Sequence, residues 1–296
     1  MRQLVSIIMP SFNQAGFVAA AVQSVLSQDY GHLELIVVDG ASSDGTQAWL
    51  AQQHAVDARL RWVSEPDTGP AAALNKALQM ARGTLVGWLN SDDLYTPGAV
   101  QRAVQALSCN PAWVMVYGHG LHIDASGQPL TPYPSVAPPP HMAQFANGCF
   151  ICQPTVFFKR TMHVLLGPLD ESLKTAFDFD YWLRAFSAFP GRIGFVDAVQ
   201  AQSRLHANCI TLRMRRTVIL EGMALLARHL GHAPKEWQLT YVLELLALPP
   251  EERNVPNLAT HLTETLTQVR PWLQAGDWEL LNFEVKKLLL SNIAHG

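Results

Sequence analysis

The stretch T-L-V-G-W-L-N-S-D-D, Thr84 to Asp93, decides how this chain is read. Thr84 to Leu89 form a short apolar run that reads as a buried strand, and the run ends abruptly in Asn90, Asp92 and Asp93. Two adjacent carboxylates at the tip of a buried strand repel each other unless a cation sits between them and something anionic. Hard oxygen ligands suit Mg²⁺ or Mn²⁺, which bridge protein carboxylates to substrate phosphates. The segment therefore points to a diphosphate-bearing substrate held through a metal. The competing reading is a solvated strand-to-loop turn, since Asn, Ser and Asp are ordinary turn residues.

Upstream and downstream of this strand, strand and helix patterns alternate. Strand-like runs are Val5 to Met9, Leu33 to Val38, Leu60 to Val63 and Trp113 to Tyr117. Helical stretches are Ala15 to Ser27, Thr46 to His54, Pro70 to Ala81 and Pro97 to Leu107, with Pro70 and Pro97 in first-turn positions and Gly83 just past a helix end. Alternation of this kind implies an α/β fold with a mostly parallel sheet flanked by helices, whose ligands lie beyond the C-terminal ends of the strands. The polar strand ends, Ser11–Asn13, Asp39–Asp44, Glu65–Gly69 and Asn90–Asp93, then share one edge. From Gly118 to Pro140 the pattern breaks: Asp124 to Gly127 reads as a turn between short strands, and Pro132 to Pro140 as a proline-rich loop. Strand patterning resumes at Cys149 to Phe158, a helix follows near Phe179 to Phe189, and a strand near Arg192 to Gln200. Beyond about Thr211 the character is helical, over Leu212 to Leu230, Glu236 to Leu246 and Trp278 to Asn292, punctuated by Pro249, Pro250 and Pro256.

A chain of 296 residues, 49% apolar and 15% charged, buries a sizeable core. Its net charge of −3 gives no basic field, which argues against nucleic acid as a partner. Four cysteines are too few for a disulfide scaffold, and the Cys149-x-x-Cys152 pair lacks the second pair that zinc would need, so it reads as two buried thiols near a strand. The N-terminus has too short an apolar stretch for a signal peptide, and no run of eighteen apolar residues spans a bilayer. The expected location is cytoplasmic, with peripheral contact at the inner face of the membrane left open.

In order and spacing, the motifs resemble those of the family 2 glycosyltransferases, inverting sugar transferases of the GT-A fold found in bacterial polysaccharide biosynthesis. The resemblance rests on S-I-I-M-P-S-F-N-Q-A-G-F, E-L-I-V-V-D-G-A-S-S-D-G-T, S-E-P-D-T-G-P-A-A-A-L-N-K-A-L, G-W-L-N-S-D-D, Q-P-T-V-F-F-K-R, L-D-E-S-L-K-T-A-F-D-F-D-Y-W-L-R-A and S-R-L-H-A-N, over residues 4 to 212. It implies a catalytic domain at 1–210, with a nucleotide half to about 120 and an acceptor half at about 121–210, and a helical C-terminal region at 211–296. It also implies a nucleoside diphosphate sugar donor, UDP-linked by preference, a glycan or lipid-linked acceptor, and Mn²⁺ or Mg²⁺.

The resemblance gives residues their expected roles. Asp39 closes a strand and matches an aspartate that contacts the nucleobase, while Pro10, Ser11 and Asn13 line the neighbouring strand end near the nucleoside. Asp67 opens a helix whose N-terminal amides could face a phosphate, with Asn75 and the solvated Lys76 one turn further in. Asp44 serves either the nucleotide loop or the entry to the next helix. Asp92 and Asp93 match the acidic metal motif, with Asp93 expected to coordinate directly and Asp92 to lie nearer the ribose or the metal's waters; Asn90 stands where many members carry aspartate. Asp178 falls on the position of the catalytic base, and Phe177 beside it would raise its pKa by desolvation. Asp180 pairs with Arg184 at i,i+4. His206 approaches the metal or the diphosphate, and Arg204 binds phosphate or pairs with a surface acid. Two other readings compete. A non-catalytic nucleotide-sugar or glycan binding protein is favoured by Phe177 and Asn90; nucleotidyl transfer would want a basic loop after the first strand, and Pro10 to Gly16 holds no Lys or Arg. The C-terminal helices could pack on the catalytic domain, form a homodimer, or lie on anionic lipid through Arg213, Arg215 and Arg216.

Overall fold

A computed structural model describes residues 3–138, 142–249, 253, 255 and 257–294. The prolines expected to shape loops at positions 139, 140, 250 and 256 lie outside the described residues. The chain divides into two compact units, Met1–His141 with Phe150–Cys209, and Met142–Cys149 with Ile210–Gly296.

The first unit is built on one mixed sheet. Strands β1 (Val5–Ser11), β2 (Leu33–Asp39), β3 (Leu60–Ser64) and β4 (Leu85–Trp88) alternate with helices α1 (Val18–Leu26), α2 (Thr46–Val56) and α3 (Pro70–Met80). After β4 come β5 (Leu94–Tyr95), α4 (Ala99–Cys109), β6 (Met115–Ile123), β7 (Pro129–Pro132), β8 (Phe157–Lys159), α5 (Arg160–Leu166), α6 (Phe177–Ala188) and β9 (Ile193–Arg204). The strand order is β3-β2-β1-β4-β8-β6-β9-β5, with β7 on β6. Pairing is parallel from β3 through β4, and β8 runs antiparallel to both its neighbours. Strands β6 and β9 are parallel to each other, while β5 pairs antiparallel with β9.

Every residue of β1, β2 and β4 is buried, as a sheet covered on both faces requires. Val5, Ile7 and Met9 join Leu33, Leu35 and Val37 in one core with α1 (Val18, Val22, Val25), α2 (Leu50) and α4 (Val100, Ala103). By the two-residue alternation of strands, Ile8, Ile36 and Val38 face the other way, and α3 packs against β1 and β2.

Several expectations are corrected. Pro97 lies outside the first helical turn, because Gly98 at φ 79° precedes the start of α4. Gly83 is needed less as a helix end than for close approach, since a Cβ there would stand 2.7 Å from Leu4 O and Ser6 N. Cys149 to Phe158 is not one strand. Gln153–Thr155 form a 3-10 turn, with Pro154 unable to donate to a ladder, and only Phe157–Lys159 pair as β8. Cys152 is buried and Cys149 half-buried. The Asp124 to Gly127 turn does join two antiparallel strands, β6 and β7.

The second unit consists of α7 (Ile210–Arg213), α8 (Arg215–Leu230), α9 (Lys235–Ala247), α10 (Leu258–Val269) and α11 (Asp277–Ala294), with the 3-10 turn Met142–Asn147. Helix α8 packs with α9 and α10, and α9 packs with α11. Two of the three arginines at its start are engaged inside this unit: Arg215 grips Glu244 at 2.6 Å, and Arg216 donates to Thr265 Oγ1 at 3.0 Å. No helix among the described residues is long and apolar enough to cross a membrane.

Candidate active site

Because β1 to β4 run parallel, their C-terminal ends meet on one edge, and the polar residues that follow each strand gather there. Asp39, fully buried at the end of β2, accepts from Ser42 N (2.9 Å) and Ser64 Oγ (2.7 Å) on Oδ2 and from Ser42 Oγ (2.5 Å) on Oδ1. Asn13 Oδ1 accepts from Ser43 N at 2.9 Å, and Asn13 N donates to Ser42 Oγ at 2.7 Å, which locks the β1 and β2 loops together. Both loops hold a non-glycine residue in the left-handed region, Asn13 at φ 51° and Ala41 at φ 62°. Such conformations persist only where the surroundings enforce them, and they gather at ligand sites. Asp44 accepts from Ala15 N, Thr46 N and Thr46 Oγ1, so it serves the entry to α2. Pro10 lies within buried β1, and the Ser11 hydroxyl beside it is buried without a hydrogen-bond partner among the described residues.

Asp67 caps its own turn by accepting from Gly69 N at 2.9 Å. Desolvation, reinforced by the charges of Asp39 and Glu65, raises its pKa above the ordinary carboxylate value. Gly40 keeps room for it, since a Cβ there would lie 3.0 Å from Asp67 Oδ2. Asn75 is turned to a different loop: its Nδ2 donates to Leu169 O (3.0 Å) and Glu171 Oε1 (2.8 Å), and its Oδ1 accepts from Leu169 N (2.9 Å). Its amide thus holds the loop ahead of α6. Lys76 pairs with Glu65.

The acidic motif divides its labour by burial. Asp92 stays reachable, its Oδ2 3.1 Å from His206 Nε2. Asp93 turns inward, only 4% exposed, and its Oδ1 accepts from Arg204 N at 2.8 Å. Burial, then the adjacent Asp92 charge, pushes the Asp93 carboxyl well above the usual range. Asp92 is thus the more exposed of the two and lies beside a largely buried His206, while Asp93 anchors the motif to β9. The Arg204 side chain is directed at main-chain carbonyls. It is buried, its Nε donates to Asp92 O (2.8 Å), and its Nη1 donates to Asp124 O and Ala125 O (both 3.0 Å). No cluster of three His, Cys, Asp or Glu able to hold a metal forms among the described residues.

Asp178 stands in the first turn of α6 and is half-buried. Desolvation raises its pKa from the ordinary 3.8 to about 6, against the lowering effect of a hydrogen bond from Phe179 N. The link to the acidic motif is aromatic. Phe177 stacks on Trp88 with centroids 5.9 Å apart, and the Trp88 indole donates to Asn90 Oδ1 at 3.0 Å. Asn90 thus orients the end of β4 by hydrogen bonding. Asp180 pairs with Arg184 at 2.7 Å, and the same guanidinium holds Leu166 O and Pro168 O. Trp88 and Phe17, whose ring is 4.7 Å from that of His206, were not singled out in the sequence. The signal for Trp88 is an indole N–H that burial obliges to find a partner, two residues before Asn90.

Residues 6–164, more than half of the chain, match the model of glycosyl transferase family 2. The chain belongs to that family. Among family relatives, it is 28% identical over 187 residues to chondroitin synthase of Escherichia coli, covering 63% of this chain and 27% of that one. It spans from 30% to 64% of the length of the Rickettsia glycosyltransferases that it matches. Among solved structures, S. aureus TarS 1-349 in complex with UDP-GlcNAc superimposes with a TM-score of 0.64 at 17% identity, covering 97% of this chain and 88% of that one. The mannosyltransferase PcManGT of Pyrobaculum calidifontis, in complex with GDP-Man and Mn²⁺, gives 0.62 at 20% identity, over 99% and 88%. The fold is therefore the GT-A-type α/β fold of the family, with its helical C-terminal region.

Proposed function

We propose that the chain transfers a sugar, with inversion, from a nucleoside diphosphate donor, UDP-linked by preference, to an acceptor hydroxyl. The observation that carries this reading is the Asp92–His206 pair, 3.1 Å apart, beside the edge where four parallel strands end. The aromatic contact of Trp88 with Phe177 brings the N-terminus of α6, and with it Asp178, to the same strand end. Donor complexes of TarS with UDP-GlcNAc and of PcManGT with GDP-Man support a nucleotide-sugar donor.

The donor nucleoside lies against Pro10, Ser11, Asn13 and Asp39, and Asp67 borders its phosphate side. Asp92, Asp93 and His206 would hold Mn²⁺ or Mg²⁺, which would supply Lewis-acid neutralisation of the departing diphosphate. Asp178 takes the proton of the acceptor hydroxyl on a carboxylate oxygen. The acceptor oxygen attacks the anomeric carbon from the face opposite the diphosphate. The bond from that carbon to the diphosphate breaks, and its electron pair leaves with the diphosphate. A base with a pKa near 6 is ionised at neutral pH yet basic enough to share the proton in the transition state. An acceptor in cell-surface polysaccharide or lipid-linked oligosaccharide synthesis suits the kinship with a chondroitin synthase.

Calorimetric titration of UDP into the protein, with Mn²⁺ and again with a chelator, tests the donor site. Binding that needs metal and disappears in Asp92→Ala is the expected result. Silence towards UDP, GDP and dTDP in both conditions would sink the donor assignment and favour a non-catalytic role.

A further inference from the structure

Arg204 is the most heavily committed side chain near the acidic motif, and nothing in the transfer chemistry above uses it. Its acceptors are main-chain carbonyls at two sites far apart in sequence. On one side Nε holds Asp92 O at 2.8 Å, while its own backbone N–H holds Asp93 Oδ1 at 2.8 Å. On the other, Nη1 holds Asp124 O and Ala125 O, both at 3.0 Å, in the turn that joins β6 to β7. Its Cζ lies 5.0 Å from the centroid of the Phe17 ring, which in turn packs on His206 at 4.7 Å. The next residue continues the connection, Leu205 N donating to Ile123 O at 2.8 Å. A planar, forked guanidinium can span these acceptors at once; an ammonium, a point charge on a flexible stem, cannot.

We propose that Arg204 is a positioning residue that couples the acidic motif to the β6–β7 turn, so that a ligand arriving at Asp92 is felt at Asp124 to Gln128. The turn is well suited to report this. It is closed by Asp124 N to Gln128 O and Gly127 N to Asp124 O, and by two further amides, Ser126 N and Gln128 N, on Asp124 Oδ1. These bonds share the peptide units whose carbonyls Arg204 holds. Loosening the guanidinium frees the turn and the Asp92 main chain together. The consequence lies on the acceptor half: the hairpin that leads into the proline-rich segment is braced by the same side chain that braces the metal motif.

Amide hydrogen exchange on the full chain tests the coupling. Without ligand, Arg204→Lys should speed exchange by about tenfold or more at 124–128 and at the Asp93 amide together, the scale of losing one charge-assisted hydrogen bond. Phe17→Leu keeps the hydrogen bonds and removes the ring under the guanidinium, so it should speed both segments by about threefold. It decides the matter if Arg204→Lys fails to fold. With UDP and Mn²⁺, the parent should slow exchange at both segments, and Arg204→Lys should keep the slowing at 90–93 and lose it at 124–128. Only this ligand arm rests on the donor reading. Acceleration at one segment alone, or ligand protection that stops at 90–93 in the parent, overturns the coupling. Failure of UDP to bind overturns the donor reading instead, and the ligand-free arm still decides the tether.

Discussion

Replacing Asp178 by Asn should abolish transfer and at the same time stabilise the protein, by an amount that depends on pH. Burial raises the Asp178 pKa from 3.8 to about 6. As pH rises from about 3.8 to about 6, the unfolded chain releases this proton before the folded one, so the folded state loses stability across that window and stays level above it. That rise corresponds to about 3 kcal/mol, an upper figure because the half-buried carboxylate keeps part of its hydration. Asparagine carries no charge in either state, so Asp178→Asn escapes the loss. Its stability gap over the parent should widen by about 1.5 kcal/mol between pH 5 and pH 8, the part of the titration that falls in that range. Urea unfolding of both proteins at pH 5, 6, 7 and 8, followed by tryptophan fluorescence, measures the gap. A gap that stays constant across this range, or narrows as pH rises, refutes the argument that desolvation holds this carboxylate, whatever becomes of activity.

The same titration predicts that kcat/KM of the parent rises with pH through about 6 and levels off above it; a profile flat from pH 5 to 8 would remove Asp178 from the base role. Ala41→Gly relieves a left-handed residue at φ 62° and should stabilise the chain by about 1 kcal/mol in a denaturant melt. Gly87→Ala should cost about 1 to 3 kcal/mol, because its Cβ would stand 2.6 Å from the Phe157 ring and 2.7 Å from Tyr95 Oη. Glu34 is buried yet held ionised by Ser6 Oγ, Arg82 N and Arg61, so its pKa lies below the ordinary value. Its contribution is present above about pH 4.5 and lost as pH falls. The Glu34→Gln variant should therefore unfold in acid with a shallower pH dependence than the parent.

The polar edge of the sheet was legible because each of its strands is an apolar run closed by polar residues, and parallel pairing puts all four closures on one side. What was not legible depends on partners distant in sequence. Which of two adjacent aspartates faces inward is decided by Arg204, 111 residues beyond Asp93. Asn75 holds a loop 94 residues away, and no local pattern announces that. Strand β5 has only two residues and exists because Leu94 and Tyr95 pair with Gln202 and Ala201 of β9. Helix α10 did carry its own signal: Leu258, Leu262, Leu266 and Val269 share one face, and Asn257 accepts from Thr260 N as a cap.

The excursion of Met142–Cys149 out of the sheet unit has a practical meaning for anyone dividing this chain. Phe145 is fully buried, and Ala146 O receives the Trp237 indole N–H at 2.8 Å, so this short segment belongs with helices that follow it by some seventy residues or more. A cut after Cys209 would produce a sheet fragment still carrying eight residues whose surroundings had been removed, with an aromatic ring laid open to solvent. The helical part is thus no interchangeable tail. To graft it onto another member of the family, an engineer would have to transplant two separate pieces of chain and rejoin the sheet unit across the gap between His141 and Phe150.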